Sequence, residues 1–409
     1  MALIGAQLAS GIGYADSSPP EQWTLSRIIR RASENSADLK SLEKEVLRAD
    51  HTAEQAGKWD NPEVSLDAGP KSISILIGNV FDASIRQNIP LFGQKSIEAD
   101  IGRNNRKILE TDKNIRAVSV RHQAARLAYR LAAVLEQVKH IGHRREKLQT
   151  VAQYLTTRPF ASPSQFVEKN LIQNRLREIE EKFLAITASK EKVWHELNVF
   201  LNLDAAITPE MPWLTNPKEL NREKLWDQVR SRNLELFRQN QLIEAAELSI
   251  AKAGKKGYPE VRIGAGYSEQ NVELGERSYV GILELSLPIV DRGGYARQAA
   301  ESQKDAETYR LEQKRRELLA QFEQAWAELT ENRKRIALYP VSLVNELESA
   351  MSKAEINWKK SLVPVTAFLE LESQVHEQAV RVFDAQTAYV EALSRVWLLA
   401  GLDFQPEAQ

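Results

Sequence analysis

The chain has 409 residues, a formal net charge of -1 and no cysteine, and 43% of its residues are hydrophobic. A near-neutral charge lacks the basic excess of nucleic-acid-binding proteins, so no nucleic-acid partner is expected. The lack of cysteine excludes disulfides, thiolate catalysis, cysteine-based zinc sites and lipid attachment through a cysteine. No run of about 18 apolar residues occurs, so no transmembrane helix is predicted, and a membrane role would need strands.

The first 15 residues are apolar and small, and Gly13 and Ala15 precede a polar segment. Small residues at these two positions are typical of a secretory cleavage site, so we expect residues 1–15 to be a truncated signal peptide cut after Ala15. The positively charged beginning of such a peptide is missing here, and a disordered leader is the alternative.

The sequence is internally duplicated. Three pairs of landmarks lie 197, 198 and 199 residues apart, namely Pro62 with Pro259, Pro90 with Pro288, and Leu203-Asp204 with Leu402-Asp403. Landmarks that stay in register over this length predict two copies of one structural unit. The predicted segments are the signal peptide (1–15), a first repeat (16–201), a linker (202–221), a second repeat (222–403) and a tail (404–409).

Each repeat has the same predicted order of elements. These are an opening helix (Thr24–Ala56; Arg222–Ala253), a pair of strands (61–92; 258–290) and a long helix (Lys95–Thr157; Tyr295–Ser361). A turn with prolines and a returning helix of about 37 residues close each repeat. Gly142 and Pro340 lie near the middle of the long helices and are expected to weaken or bend them.

The long helices carry a heptad pattern. Apolar residues step by four and three through Val120, Ala124, Leu127, Leu131, Val134, Val138 and Ile141. The positions 198 residues later are Leu318, Phe322, Ala325, Leu329, Asn332, Ile336 and Tyr339. Such a seam predicts coiled-coil packing against neighbouring helices.

The strands alternate between apolar and polar residues. The candidates for a lipid-facing surface are Phe81, Ile85, Ile89, Leu283, Leu285 and Leu287. A half-buried soluble sheet alternates in the same way, but four strands cannot close into a membrane barrel, whose smallest examples have about 8. Three copies of the chain would supply 12 strands for one shared barrel.

Three features point to a known family: the duplicated halves, the strand starts Asn61-Pro62-Glu63 and Tyr258-Pro259-Glu260, and the segment 87–94 with its twin 285–291. In these features the chain resembles the outer-membrane efflux factors of the TolC type. The resemblance covers about Gln22 to Asp403. It implies a mainly α fold with a small β part: a TolC-like tandem repeat of long coiled-coil helices that form an α-barrel. Four antiparallel strands would join a trimeric 12-stranded transmembrane β-barrel.

The resemblance also implies a homotrimeric exit duct in the outer membrane of a Gram-negative bacterium, extending into the periplasm. Its partners would be a periplasmic adaptor (membrane fusion) protein, an inner-membrane pump and outer-membrane lipid, with no cofactor. Length and short strand connections look most similar to the CzcC-like branch, which serves pumps for divalent heavy-metal cations. Drug efflux and type I protein secretion are alternative roles, and a soluble coiled-coil scaffold is an alternative of another class.

In the family, acidic residues at the turn between the long and the returning helix of the second repeat constrict the pore entrance. The resemblance places Glu370 at one such position. The second acid of the usual pair falls on Ala367, and Glu372 is a further candidate on another face. Arg158 and Ser361 are the candidate adaptor-docking positions at the turns. For each residue the alternative is an ordinary solvated position.

The histidines give no metal prediction. His140 and His143 share a helix face, but Arg144 and Arg145 beside them disfavour a cation, so a surface helix is expected. His195-Glu196 lacks the second histidine of a zinc-protease helix, and no nucleophile or phosphate-loop motif is present. The sequence therefore predicts no enzyme.

Overall fold

A computed structural model describes residues 21–73, 76–157, 163–215, 217, 219–271 and 275–404. The predicted signal peptide (1–15) and Arg158 lie outside these residues. The helices are α1 (Leu25–Asn35), α2 (Ala37–Ala56), α3 (Gln94–Thr157), α4 (Pro163–Leu201), α5 (Arg222–Arg232), α6 (Leu234–Lys255), α7 (Gly294–Leu338), α8 (Ser342–Lys359) and α9 (Val365–Leu399). The strands are β1 (Gln22–Thr24), β2 (Glu63–Ile73), β3 (Leu76–Ile89), β4 (Thr208–Glu210), β5 (Glu260–Asn271) and β6 (Glu276–Ser286).

The chain forms two compact units. The helical unit consists of Met1–Asn35, Arg121–Lys218 and Glu331–Glu391, and the sheet unit consists of Ser36–Val120, Glu219–Thr330 and Ala392–Gln409. Each unit therefore combines segments from both halves of the duplicated sequence. Among the described residues, no helix combines the length and the apolar character needed to cross a membrane.

The helical unit has a core of apolar side chains from α3, α4, α8 and α9. Its fully or nearly buried members include Ile141, Leu148, Ile172, Ile179, Trp358, Phe368 and Val375. In the predicted heptad seam, Ala124, Leu131, Val134 and Ile141 of α3 are buried. This coiled-coil packing was predicted from the spacing, since residues that repeat every 3.5 positions lie on one helix face.

The sheet unit contains a four-stranded antiparallel sheet with the order β2-β3-β5-β6. The two predicted hairpins thus pair with each other through β3 and β5. Residues directly opposite in the register point to the same side. Val64 lies opposite Ile85, Ile85 opposite Ala265 and Ala265 opposite Gly281, so one row crosses all four strands. The register therefore gathers most of the apolar residues of the four strands on one face.

That apolar face is open. Its members include Val64, Leu66, Phe81, Ile85, Ile263, Tyr279, Leu283 and Leu285, and the exposed fraction ranges from 42% for Phe81 to 83% for Tyr279. The other face carries polar pairs, such as Ser65 and Ser84, whose hydroxyl oxygens are 2.8 Å apart. Five of the six predicted lipid-facing residues lie on the apolar face, but Leu287 falls beyond the end of β6 at Ser286.

The opening helix of each repeat is broken, contrary to the prediction of one continuous helix. Ser36 caps α2 by accepting a hydrogen bond from the Leu39 amide, and Asn233 caps α6 by accepting one from the Leu236 amide. Side-chain oxygens at these positions satisfy amides that lack a partner at a helix start, so they favour a new helix.

An asparagine beside each break is tied to the end of the last helix of its own repeat. The Asn35 amide donates to the Leu201 carbonyl at 3.1 Å, and the Asn233 amide donates to the Leu399 carbonyl at 2.8 Å. The two asparagines are 198 residues apart, as are the two leucines. This asparagine tie is thus a duplicated feature.

The midpoints of the two long helices differ. Helix α3 continues through Gly142, whereas the second long helix is interrupted between Leu338 and Ser342, around Pro340. Proline lacks the amide hydrogen that a helix interior needs, while glycine only weakens the helix. The prediction of one helix over Tyr295–Ser361 is therefore wrong at this point.

Each repeat leaves the sheet through a tight turn at a proline. Leu91 donates its amide to the Ile89 carbonyl and Ile289 donates to the Leu287 carbonyl, both at 2.8 Å, so Pro90 and Pro288 are the centres of three-residue turns. Gly293 then adopts a φ of 77°, and a Cβ there would lie 2.8 Å from the Ala253 carbonyl oxygen. This turn needs glycine for both conformation and space.

Candidate functional site

Three charged residues occupy core positions of the helical unit. Arg144 lies between Ile141 and Leu148 of α3, Arg175 lies between Ile172 and Ile179 of α4, and Glu372 lies between Phe368 and Val375 of α9; all six apolar neighbours are buried. We call Arg144, Arg175 and Glu372 the charge cluster. Spacings of three and four residues place each charge on the apolar seam of its helix.

The cluster is held by ion pairs and hydrogen bonds. Glu372 is 2% exposed and its carboxylate contacts the Arg144 guanidinium, while the Arg175 Nε donates to Glu372 Oε2 at 2.5 Å. Arg144 also donates to the Glu372 backbone carbonyl, and Arg175 bonds Glu178 at 2.7 Å. The buried Glu372 carboxylate is therefore shared by two cations, and the exposed Glu178 adds a second carboxylate to Arg175.

Burial changes the acidity of this cluster. Desolvation, followed by the positive charge of Arg175, lowers the pKa of Arg144 to about 9. Arginine still carries its charge at neutral pH, so the cluster contains real buried charges. Such charges are stable only when their partners are in place.

Glu370 has a different environment from Glu372. It is exposed on α9, and its carboxylate accepts a hydrogen bond from the Gln374 amide at 2.9 Å. Of the two predicted constriction residues, only Glu370 presents its charge to solvent. Glu372 is instead a buried partner of two arginines, which corrects its assignment as a pore-lining charge.

Ser361 lies in the turn after α8. Its φ is 60°, its amide donates to the Trp358 carbonyl at 2.8 Å, and the Leu362 amide donates to the Asn357 carbonyl at 2.9 Å. These two hydrogen bonds form a Schellman motif at the C-terminus of α8. Ser361 occupies the position after the C-cap, where glycine is usual. The turn exposes Ser361 and leaves Leu362 71% exposed, so both are accessible to a partner.

His140 is buried next to the cluster, so the expected surface position is wrong for it, whereas His143 is exposed. The rings of His140 and His376 are stacked with centroids 5.9 Å apart, and Glu348 lies 3.6 Å from His140 Nδ1. Neither ring nitrogen of His140 makes a hydrogen bond within the described part of the chain. Burial, then the positive charge of Arg144, lowers the pKa of His140 to about 4.

The structure brings these groups together without forming a metal site. In the described ranges, no three side chains of histidine, aspartate or glutamate are arranged to hold a metal ion. His140 and Glu348 contact each other, but Arg144 adds a positive charge beside them. The arrangement stabilises a helix bundle and offers no reacting group.

The charge cluster was missed at the sequence level. Its signal was present, because a charged residue three or four positions from apolar residues on both sides lies on the buried seam. Arg175 and Glu372 each have that spacing. These helices carry many charged residues. The neighbouring helices decide which of these charges are paired, and the sequence of one helix does not specify its neighbours.

The fold is that of an outer-membrane efflux channel. The Campylobacter jejuni CmeC outer membrane channel is 12% identical with a TM-score of 0.75, over 94% of this chain and 87% of that chain. The open state of the Neisseria gonorrhoeae MtrE outer membrane channel is 11% identical with a TM-score of 0.74, over 94% and 90%. A CusC structure is 13% identical with a TM-score of 0.73, over 92% of both chains.

Residues 225–401 match the family model described as "Outer membrane efflux protein". No curated protein sequence matches the chain. Members of this family are channels, which agrees with the prediction that the chain is not an enzyme.

The charge cluster gives a test that separates its two neighbouring glutamates. Glu372→Ala leaves two buried arginines without their shared partner, so we expect it to lower the free energy of unfolding by about 3–5 kcal/mol. Glu370→Ala, two residues away on the surface of the same helix, should change it by less than about 0.5 kcal/mol. Denaturant unfolding measures both, and equal effects would show that Glu372 is not a buried partner.

His140 gives a test of pH dependence. The unfolded chain binds a proton at His140 below about pH 6.5, whereas the folded chain does so only near pH 4, so stability falls as the pH drops through this window. The loss amounts to about 3 kcal/mol at most. His140→Leu should remove this part of the acid sensitivity, while the exposed control His143→Leu should keep it. Unfolding curves between pH 7 and pH 4 distinguish the two, and parallel pH profiles of wild type and His140→Leu would contradict the assignment.

Proposed function

We propose that the chain is the outer-membrane exit duct of a tripartite efflux system. It acts as a passive homotrimer that receives substrate from an inner-membrane pump through a periplasmic adaptor. The observation that carries this proposal is the open apolar face of the sheet, opposite a polar face, in a chain with the fold of outer-membrane channels. Lipid would cover the apolar face, and the polar face would line water.

Closure of the sheet requires further copies. The edge strands β2 and β6 each have one unpaired side in the described sheet, and such edges are sites of association. Three copies would give 12 strands in one barrel, with every edge paired. The protein would then lie in the outer membrane of a Gram-negative bacterium and extend into the periplasm.

We extend the proposal to divalent metal cations as cargo, following the resemblance to the CzcC-like branch. The charges of the polar face support this choice, because Asp67 lies directly opposite Asp82 in the β2–β3 register. Like charges in this position cost stability unless cations are attracted to them. Glu370 would add one exposed carboxylate per copy at the helix turns, and a ring of three would attract cations.

The turns of the helical unit are proposed as the adaptor-docking region. Ser361 and Leu362 are exposed beyond the end of α8, and Leu362 offers an apolar contact that needs no rearrangement. Arg158 belongs to the same proposal on sequence grounds alone.

The apolar face of β6 tests the membrane assignment. Leu283→Arg places a charge on that face and should reduce the trimer in the outer-membrane fraction, because arginine facing lipid costs about 2–4 kcal/mol per chain near the membrane centre. Val280→Arg is the matched control, since Val280 is 52% exposed on the polar face of the same strand. Fractionation followed by detergent extraction and sizing measures the trimer.

The soluble scaffold predicts a different result. It would be recovered in buffer without detergent, and Leu283→Arg would then be no more harmful than Val280→Arg. Recovery of the wild-type chain as a soluble monomer would reject the duct.

Glu370 tests the cargo and the constriction together. In planar bilayers with a gradient of a divalent metal chloride, the wild-type channel should favour the cation, and Glu370→Gln should reduce the cation-to-chloride permeability ratio severalfold, because it removes three carboxylates. Glu346→Gln, at an exposed position on α8, serves as the control. Equal ratios for all three proteins would reject the constriction role, and an anion-selective wild type would favour an organic or protein cargo.

A further inference from the structure

One end of the sheet combines aromatic rings, exposed apolar side chains and lysines. The register places Glu63 opposite Arg86, Ile89 opposite Val261, and Glu260 opposite Ser286, so the segments that join the strands to the helices meet at this end. We call it the helix-side edge; it comprises residues 57–62, 90–95, 252–259 and 287–295.

The aromatic rings of the helix-side edge are turned outward. Trp59 is 59% exposed, Tyr258 is 43% exposed and Tyr295 is 88% exposed. Phe92 stacks on Tyr258 with ring centroids 4.8 Å apart, and its φ of 65° is a conformation that bulky residues rarely adopt. The edge therefore keeps a large apolar surface in contact with its surroundings at the cost of backbone strain.

The cations lie beside these rings. Lys252, Lys255 and Lys256 line a cavity of about 410 Å³ together with Tyr258 and three carboxylates, those of Glu98, Glu260 and Asp291. The Lys255 ammonium is 5.1 Å from the centre of the Tyr258 ring. Lys252 pairs with Glu98 at 3.3 Å, but neither Lys256 nor Arg292 forms an ion pair with any residue that the structure describes.

This combination has a specific physical use. Amphipathic rings prefer the boundary between hydrocarbon and water, and lysines extend from that boundary to charged headgroups. The helix-side edge borders the open apolar face of the sheet, so a membrane that covers the face ends here.

We infer that the helix-side edge binds the phosphate groups of membrane glycerophospholipids, with Lys255 and Lys256 as the principal cationic contacts and the cavity they line as the headgroup site. The inference rests on the proposed function, because it requires the apolar face to lie in a membrane. The rings of Trp59, Tyr258 and Phe92 would lie at the level of the glycerol backbone. The site thereby fixes how deep the sheet sits in the lipid.

The test uses the full chain in nanodiscs of phosphatidylcholine with phosphatidylglycerol as a minor component. Native mass spectrometry measures the phosphatidylglycerol that the protein retains. The variant is Lys255→Gln with Lys256→Gln. The matched control is Lys359→Gln with Lys360→Gln, because these two lysines likewise form the last residue and the C-cap of a helix, α8.

A lysine near an anionic surface contributes roughly a fivefold factor in binding, so the double variant should lower the affinity for phosphatidylglycerol on the order of 25-fold, while the control should match the wild type. Inorganic phosphate as competitor distinguishes a lipid site from a site for free phosphate, which would be displaced at millimolar concentration. Equal retention by wild type, variant and control overturns the inference while the duct remains. Failure of the wild type to enter nanodiscs of any composition overturns the proposed function as well.

Discussion

The sheet unit depends on the pairing of β3 with β5, two strands that are far apart in the sequence. Each repeat supplies a hairpin that would be marginal alone, and the pairing joins them into one sheet over eleven residue pairs, from Asn79 with Asn271 to Ile89 with Val261. A shift by one residue would send every apolar side chain of one hairpin to the polar face. The common register is thus the condition for a single apolar surface, and both proposals on membrane contact rest on that surface.

Much of this fold was predictable because its signals are periodic or duplicated. Heptad spacing defines the buried seam of α3 through Ala124 and Leu131, and the prolines that bound the strands recur in both halves. The helix breaks at Ser36 and Asn233 were not predictable in the same way. They depend on a side chain that caps a helix, and for Asn233 also on a bond to a carbonyl 166 residues away, which no local pattern contains.

The candidate site shows the same division. Glu370 could be placed from a resemblance, because a short motif carries it, and its exposure leaves that role open to experiment. Glu372 could not be assigned from its own helix, since its environment is made by Arg144 and Arg175 on two other helices. Two glutamates that are two residues apart thus differ because burial is a property of the assembled bundle. A buried ion pair of this kind adds little net stability but makes misaligned helices costly.

The asparagine tie has a consequence for the origin of the chain. Because Asn35 bonds to Leu201 and Asn233 bonds to Leu399, each repeat ends beside its own beginning. When the two ends of a segment are adjacent, a second copy can be joined to it in tandem through a short connection. A duplication of this kind keeps both ties, because each tie lies within one repeat.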